Sequence, residues 1–161
     1  MAIGAAGTEG RRTQRPKSRF VSTHMVLDSS GVAAQIARVR AIANTLPDVV
    51  ERLSHGSRSF FIGGKKTFVM FVDAHHGDGI VGIWCAAPTG EQSARIDEDP
   101  ARFFRPPYVG HRGWLGLRLD RPTTDEELVE IITEAWRCVA PRRLLAVFDQ
   151  QMEARPDLRP Q

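Results

Sequence analysis

Residues 58–86 read RSFFIGGKKTFVMFVDAHHGDGIVGIWCA, and their reading decides the fold. Three apolar runs stand in this stretch: Arg58 to Ile62, Lys66 to Val72 and Gly79 to Ala86. They are joined by Gly63-Gly64 and by the His75 to Gly79 segment. Each run is short and rich in β-branched and aromatic residues, so glycine turns between them predict an antiparallel meander rather than buried helices. Pro88 closes the third run.

Downstream, Trp114 to Leu119 alternates, which sends Leu115, Leu117 and Leu119 to one face and Trp114, Gly116 and Arg118 to the other. Thr123 or Thr124 then stands three residues before Glu126 or Glu127, the capping-box arrangement that opens a helix. That helix carries an apolar stripe of Leu128, Ile131, Ile132, Ala135, Trp136 and Val139. Pro141 opens a last helix with Leu144, Leu145 and Phe148 inward.

Upstream, Val32, Ile36, Val39, Ala43 and Leu46 recur at helical spacing from Gly31 until Pro47. Asp48 reads as the N-cap of a short helix carrying Val49, Val50 and Leu53 as far as Gly56. Between the meander and the last strand, Thr89 to Ile96 suits a helix, and Asp99-Pro100 opens a short helical turn carrying Phe103 and Phe104. The expectation is an α+β two-layer sandwich, an antiparallel sheet of about five strands packed against helices at both chain ends.

Of 161 residues, 42% are hydrophobic and 25% charged, proportions of a globular chain able to bury a core without staples. The net charge of +3 is unevenly placed. Residues 1–30 hold Arg11, Arg12, Arg15, Lys17 and Arg19 against Glu9 and Asp28, and from Gly31 onward 17 basic residues face 17 acidic ones. Residues 1–30 lack an apolar period and read as a disordered basic leader, with Met25 offering an internal start. Residues 31–150 read as the folded domain and 151–161 as a flexible tail. No apolar run has the length of a secretory signal or a bilayer span, and Cys85 and Cys138 stand in no ligand spacing. A cytoplasmic protein without disulfides, membrane contact, metal or cofactor is expected.

Residues able to carry chemistry are sparse. His75-His76 beside Asp73 and Asp78 is the one metal-like cluster, in a turn where adjacent histidines diverge. No serine sits in a G-x-S-x-G elbow, and Gly63-Gly64-Lys65-Lys66 lacks the spacing of a phosphate loop. The charge pattern says more. Between Glu51 and Asp73 no acid interrupts Arg52, Arg58, Lys65 and Lys66; between Asp99 and Asp120 none interrupts Arg102, Arg105, Arg112 and Arg118. Both windows fall on hairpins or strand edges, so a neutral body can still present two positive projections. On composition alone, a solvated basic surface with Tyr108 and Trp114 as scaffold is the commoner explanation of such runs.

Several segments together resemble the MmcQ/YjbR family: Leu46-Pro47-Asp48-Val49, Gly64-Lys65, Asp99-Pro100-Ala101-Arg102-Phe103-Phe104, Tyr108-Val109-Gly110, Gly113-Trp114 and Arg137-Cys138-Val139-Ala140-Pro141. The resemblance spans about residues 32–148 and implies a sandwich like that of the CyaY/frataxin group, with a curved antiparallel sheet and two protruding hairpins. That double-wing shape is proposed for the family as DNA-binding. One wing tip would be Gly63 to Lys66 and the other Val109 to Trp114. Arg58, Lys65, Lys66, Arg105, Arg112 and Arg118 would then meet phosphates, while Tyr108, His111 and Trp114 would stack or hydrogen-bond. The chain departs from many relatives at Cys85-Ala86-Ala87, where they carry a lysine, and at Ala135-Trp136, where they carry Ser-Tyr.

The leading expectation is therefore a non-enzymatic, cytoplasmic DNA-binding protein that contacts the phosphate backbone with little sequence preference. A small-molecule binder or enzyme would instead line the concave sheet face with Trp84, Trp114, Arg118 and His111. A protein-interaction module would show a large exposed apolar patch.

Overall fold

A computed structural model describes residues 27–74 and 77–154. Most of the basic leader, His75-His76 and the end of the tail lie outside the described residues. Helix α1 (Ser29–Ala43) starts two residues before the expected Gly31, because Asp28 caps it: its Oδ1 accepts a hydrogen bond from the Gly31 amide at 2.8 Å.

The segment after Pro47 departs from the sequence expectation. Val49–Ser54 is strand β1, not a short helix, and it pairs antiparallel with β2 (Ser57–Ile62) along its whole length, from Val49 opposite Ile62 to Ser54 opposite Ser57. Asp48 cannot act as an N-cap, because its φ of 59° lies outside the extended region a cap needs. The connecting residues His55 and Gly56, at φ 50° and 79°, both take the left-handed conformation that tight hairpins require. Apolar residues at 49, 50 and 53 fit either period. The partner strand decides between them.

Strands β3 (Lys66–Asp73) and β4 (Val81–Cys85) complete the expected meander, and helix α2 (Glu91–Glu98) follows. Phe103-Phe104 forms a short edge strand, β5, rather than part of a helical turn; the turn ends one residue earlier, with the Arg102 and Phe103 amides both bonded to the Asp99 carbonyl. Strand β6 (Leu115–Arg118) lies between β5 and β4. The sheet runs β1-β2-β3-β4-β6-β5, all antiparallel, with a register shift at Phe60/Phe61 that bends β2 against β3. Six strands replace the expected five because β1 and β5 are both strands.

Helix α3 (Asp125–Val139) begins as the capping motif predicts, with Thr124 Oγ1 accepting from the Glu127 amide at 3.2 Å. The reciprocal half of the box is diverted: the Glu127 carboxylate takes a hydrogen bond from Arg102 at 2.6 Å. Leu128, Ile131, Ile132, Ala135 and Trp136 are all buried against the sheet, chiefly over β3 and β4. The indole N–H of Trp136 donates to the Pro47 carbonyl at 3.1 Å, which satisfies the one polar atom of a fully buried ring. Helix α4 (Arg142–Ala154) stacks Phe148 on Trp136, with ring centroids 5.1 Å apart, and runs past residue 150 into the expected tail. Leu115, Leu117 and Leu119 face the core as expected.

Gly82 lets β4 approach β6, and Gly116 of β6 makes room for Phe104 of β5. A Cβ on Gly82 would stand 2.3 Å from the Leu117 carbonyl oxygen, and one on Gly116 would stand 2.5 Å from the Phe104 ring. Replacing Gly82 with Ala should cost about 3 kcal/mol, since a backbone oxygen must move. Gly64→Ala meets no atom within 4 Å but keeps a φ of +65°, so about 1 kcal/mol is expected there. Urea midpoints of the two variants against wild type test this order.

Candidate nucleic-acid interface

Strand register places both hairpin tips at one end of the sheet. Val69 pairs with Cys85, Cys85 with Leu115, and Phe104 with Gly116. The β2–β3 turn, the end of β4 and the β5–β6 connection therefore emerge together. Midpoints of the two hairpins are three strand spacings apart, about 14 Å.

The first tip is set by Gly63 and Gly64, at φ 58° and 65°, with the Lys65 amide closing the turn on the Ile62 carbonyl at 3.1 Å. Only residues free to take the left-handed region sit there easily, and the turn leaves Lys65 and Lys66 exposed. Arg52 of β1 joins them: its guanidinium lies 4.4 Å over the Phe61 ring and donates to the Gly64 carbonyl. Asp48 stands at the base of this tip, its Oδ2 3.2 Å from where a Cβ on Gly63 would be.

The second tip is the connection from Arg105 to Trp114. Pro106 is buried, the Gly110 amide bonds back to the Pro106 carbonyl at 3.0 Å, and residues Gly110–Arg112 make one 3-10 turn. Gln92 of α2 fastens the loop by donating to the Gly110 carbonyl at 2.8 Å and to the Trp114 carbonyl. Gly110 has no room for a Cβ, because the Arg105 Cγ would lie 2.5 Å away. Arg105, Tyr108, His111 and Arg112 are exposed on this scaffold.

Of the nine residues read from the sequence as contacts, Lys65, Lys66, Arg105, Tyr108, His111 and Arg112 thus gather at one end. Three do not join them. Trp114 is 8% exposed and packs in the core, so its ring offers no free face. Arg118 is the last residue of β6, at its far end, and is bound to Asp120 just beyond the strand, with contacts of 2.6 and 3.0 Å. Arg58 stands near the opposite hairpin turn and bonds Glu51 at 3.2 Å. Arg52, named in the sequence only as part of a basic window, also joins this end: it reaches the Gly64 carbonyl because β1 is a strand.

Most of the other arginines are paired, although Arg142 and Arg143 at the start of α4 are exposed and in no ion pair among the described residues. Arg38 pairs with Asp125, Arg40 with Glu51, Arg95 with Glu91 and Glu130, Arg102 with Asp99 and Glu127, and Arg137 with Glu134 and Asp149. Glu130 and Glu134 of α3, which could have cancelled the field of the tips, are occupied with Arg95 and Arg137. Among the described residues no carboxylate lies within 4 Å of the charged groups of Arg52, Lys65, Lys66, Arg105 or Arg112.

Other chemistry finds little support. Among the described residues no group of three or more His, Cys, Asp or Glu side chains is placed to hold a metal ion. Cys85 borders a cavity of about 250 Å³ between β4, α2 and α3, but burial pushes its thiol up to about 12, far from a nucleophilic thiolate. On the face suggested for a small molecule, Trp84 and Trp114 are both buried and Arg118 is chelated. No helix among the described residues is long and apolar enough to cross a membrane.

Comparison with known proteins places residues 44–138 within the family described as YjbR, as the sequence resemblance implies. No curated protein and no solved structure gives a significant match.

Glu51 ties α1 to the β1–β2 hairpin. Arg40 donates to both of its oxygens, at 2.6 and 2.8 Å, and these bonds hold its carboxyl below the ordinary glutamate value of 4.5, with Arg58 adding to the effect and burial opposing it. A lowered carboxyl pKa stabilises the fold above that value and loses its contribution as pH falls through it. Glu51→Gln should therefore lower stability by about 1 kcal/mol at neutral pH. Its melting temperature should converge on that of wild type as pH drops below 4.5, which thermal melts across pH 7 to 3 will measure.

Proposed function

The chain belongs to the YjbR family, and we propose that it is a non-enzymatic, cytoplasmic DNA-binding protein that grips the phosphate backbone at the two-tipped end of its sheet. One observation carries this reading: five cations without a carboxylate partner among the described residues gather at that end, while most arginines of the body are paired in place, Arg142 and Arg143 of α4 being exposed exceptions. Attraction of a polyanion needs charge that is not already spent on a neighbour, and it needs that charge within about one Debye length, roughly 10 Å, of the phosphates. Arg52, Lys65 and Lys66 on one tip and Arg105 and Arg112 on the other have no carboxylate partner among the described residues to give up.

The expected binding is modest and sequence-tolerant, because phosphate contacts orient a protein without reading bases. The tips rest on rigid supports, glycine turns on one side and a loop pinned by Gln92 on the other, so little side-chain or backbone order is lost on contact. Arg58 and Arg118 are left out of the interface because each would have to give up a carboxylate.

About five phosphate contacts predict a slope of log affinity against log salt of roughly −4. Raising salt from 50 to 200 mM should then weaken binding on the order of a hundredfold. A triple Lys65→Ala, Lys66→Ala, Arg112→Ala variant should flatten the slope by about one per contact removed, while Arg58→Ala should leave it unchanged. Fluorescence anisotropy with labelled oligonucleotides reads both; affinity that ignores salt, or no binding in 50 mM salt, rejects the reading.

A further inference from the structure

All four described helices belong to one face of the sheet. Cys85 and Leu115 line the cavity that α2 and α3 close over them. Arg40 of α1 bonds Glu51, which stands opposite Phe60 and through it Val69, the partner of Cys85. Helix α4 packs on Trp136 of α3 and so joins the same side. Residues directly opposite one another in an antiparallel ladder share a face, so the register also spells out the other side. Ser59, Met70, Trp84, Gly116 and Phe104 make one row across it, and Val72, Gly82 and Arg118 make the next. An uncovered antiparallel face is ordinarily polar and open to water. This one is neither, although no helix among the described residues lies over it. Ser59 is 0% exposed, Val72 1% and Trp84 3%, while Met70 and Phe104 are partly buried.

We propose that residues 20–26 cross this second face and cover it, so that the open side of the sheet is a docking surface for the chain's own leader. Their sequence, Phe-Val-Ser-Thr-His-Met-Val, holds four large apolar side chains and no acid, lysine or arginine. Burying those side chains on Met70, Val72, Trp84 and Phe104 offsets the entropy of ordering the segment. Leu27, the next residue, is already packed against the core. The chain also starts from the right place. Helix α1 leads into β1 at Val49, beside the first tip, whereas Arg38 nearer its start bonds Thr123 and Asp125, just past the end of β6. The start of α1 therefore lies toward the end of the sheet that holds Val72 and Arg118. Seven extended residues reach about 23 Å, more than the three strand spacings, about 14 Å, from Ser59 to Gly116. The other candidates fit less well. His75 and His76 span at most about 7 Å, and residues 155–161 bring one large apolar side chain, Leu158, among two arginines and an aspartate. The inference does not depend on the phosphate reading.

Hydrogen exchange of the full chain, read by mass spectrometry, should find the amides of residues 20–26 exchanging at least about tenfold more slowly than those of residues 2–10. Because the contact is apolar, this protection should be the same at about 50 mM and about 500 mM salt. Phe20→Ser with Val21→Ser in one full-length chain should raise acrylamide quenching of tryptophan emission about twofold by uncovering Trp84, while Ile3→Ser should leave it at the wild-type value. If the double variant fails to fold, exchange in wild type still decides. Residues 20–26 exchanging as fast as residues 2–10, quenching unchanged in the folded double variant, or protection found at residues 155–161 instead overturns the proposal. So does protection that disappears at the higher salt, since that would mark the leader's arginines on carboxylates rather than its apolar segment on the sheet.

Discussion

The pairing of β4 with β3 on one side and β6 on the other is the constraint on which the arrangement depends. Cys85 sits opposite both Val69 and Leu115, and that shared register brings two hairpins far apart in sequence to the same end of the sheet. A slip of one residue in either ladder would turn the core side of a strand outward, so the hydrophobic pattern that builds the core also fixes where the tips emerge. Gly82 and Gly116 belong to the same constraint: each occupies a place on the β4–β6 ladder where a Cβ would collide, Gly82 with backbone and Gly116 with the Phe104 ring. Alpha3 then seals the other face with five buried side chains.

Charge follows from this geometry rather than from composition. Acids of α3 pair with arginines on α1, α2 and the turn before β5 and with Arg137 of α3 itself, which also meets Asp149 of α4, and the half-exposed pairs so formed each contribute little to stability. Their larger effect is electrostatic. They neutralise the paired arginines in place and leave Arg52, Lys65, Lys66, Arg105 and Arg112 without a carboxylate partner among the described residues at the two-tipped end.

How much of this could be read beforehand depended on whether the deciding partner was near in sequence. The α3 helix was legible because its cap, its acidic first turn and its apolar stripe are all local. The β2–β3 turn was legible because Gly63-Gly64 has few other uses beside strand-like runs. Beta1 was misread as a helix, since Val49, Val50 and Leu53 satisfy either period and the strand that settles the matter begins eight residues after Val49. The same error hid the approach of Arg52 to Gly64, which exists only in the hairpin. Arg118 was misjudged for a different reason: Asp120 two residues on was visible as a nearby partner, whereas the charge window stopped at Asp120 and counted it as a border. Trp114 is placed at a wing tip by the resemblance, yet it immediately precedes β6 and shares the buried environment of Leu115.

A body with matched charges and one cationic end has little long-range pull on a polyanion, because at about 0.15 M salt its field fades within roughly 8 Å. Such a molecule is selected at contact rather than steered from a distance, so what it does at contact matters most. There the two tips differ. The lysine tip is a pair of compact, strongly hydrated charges on flexible stems, suited to phosphate at any angle. The other tip is held by Gln92, two prolines and a buried glycine, and exposes Arg105, Tyr108, His111 and Arg112. Rigidity on that side has no value for phosphate alone, which accepts many geometries. It has value for a flat partner, whose orientation must be met.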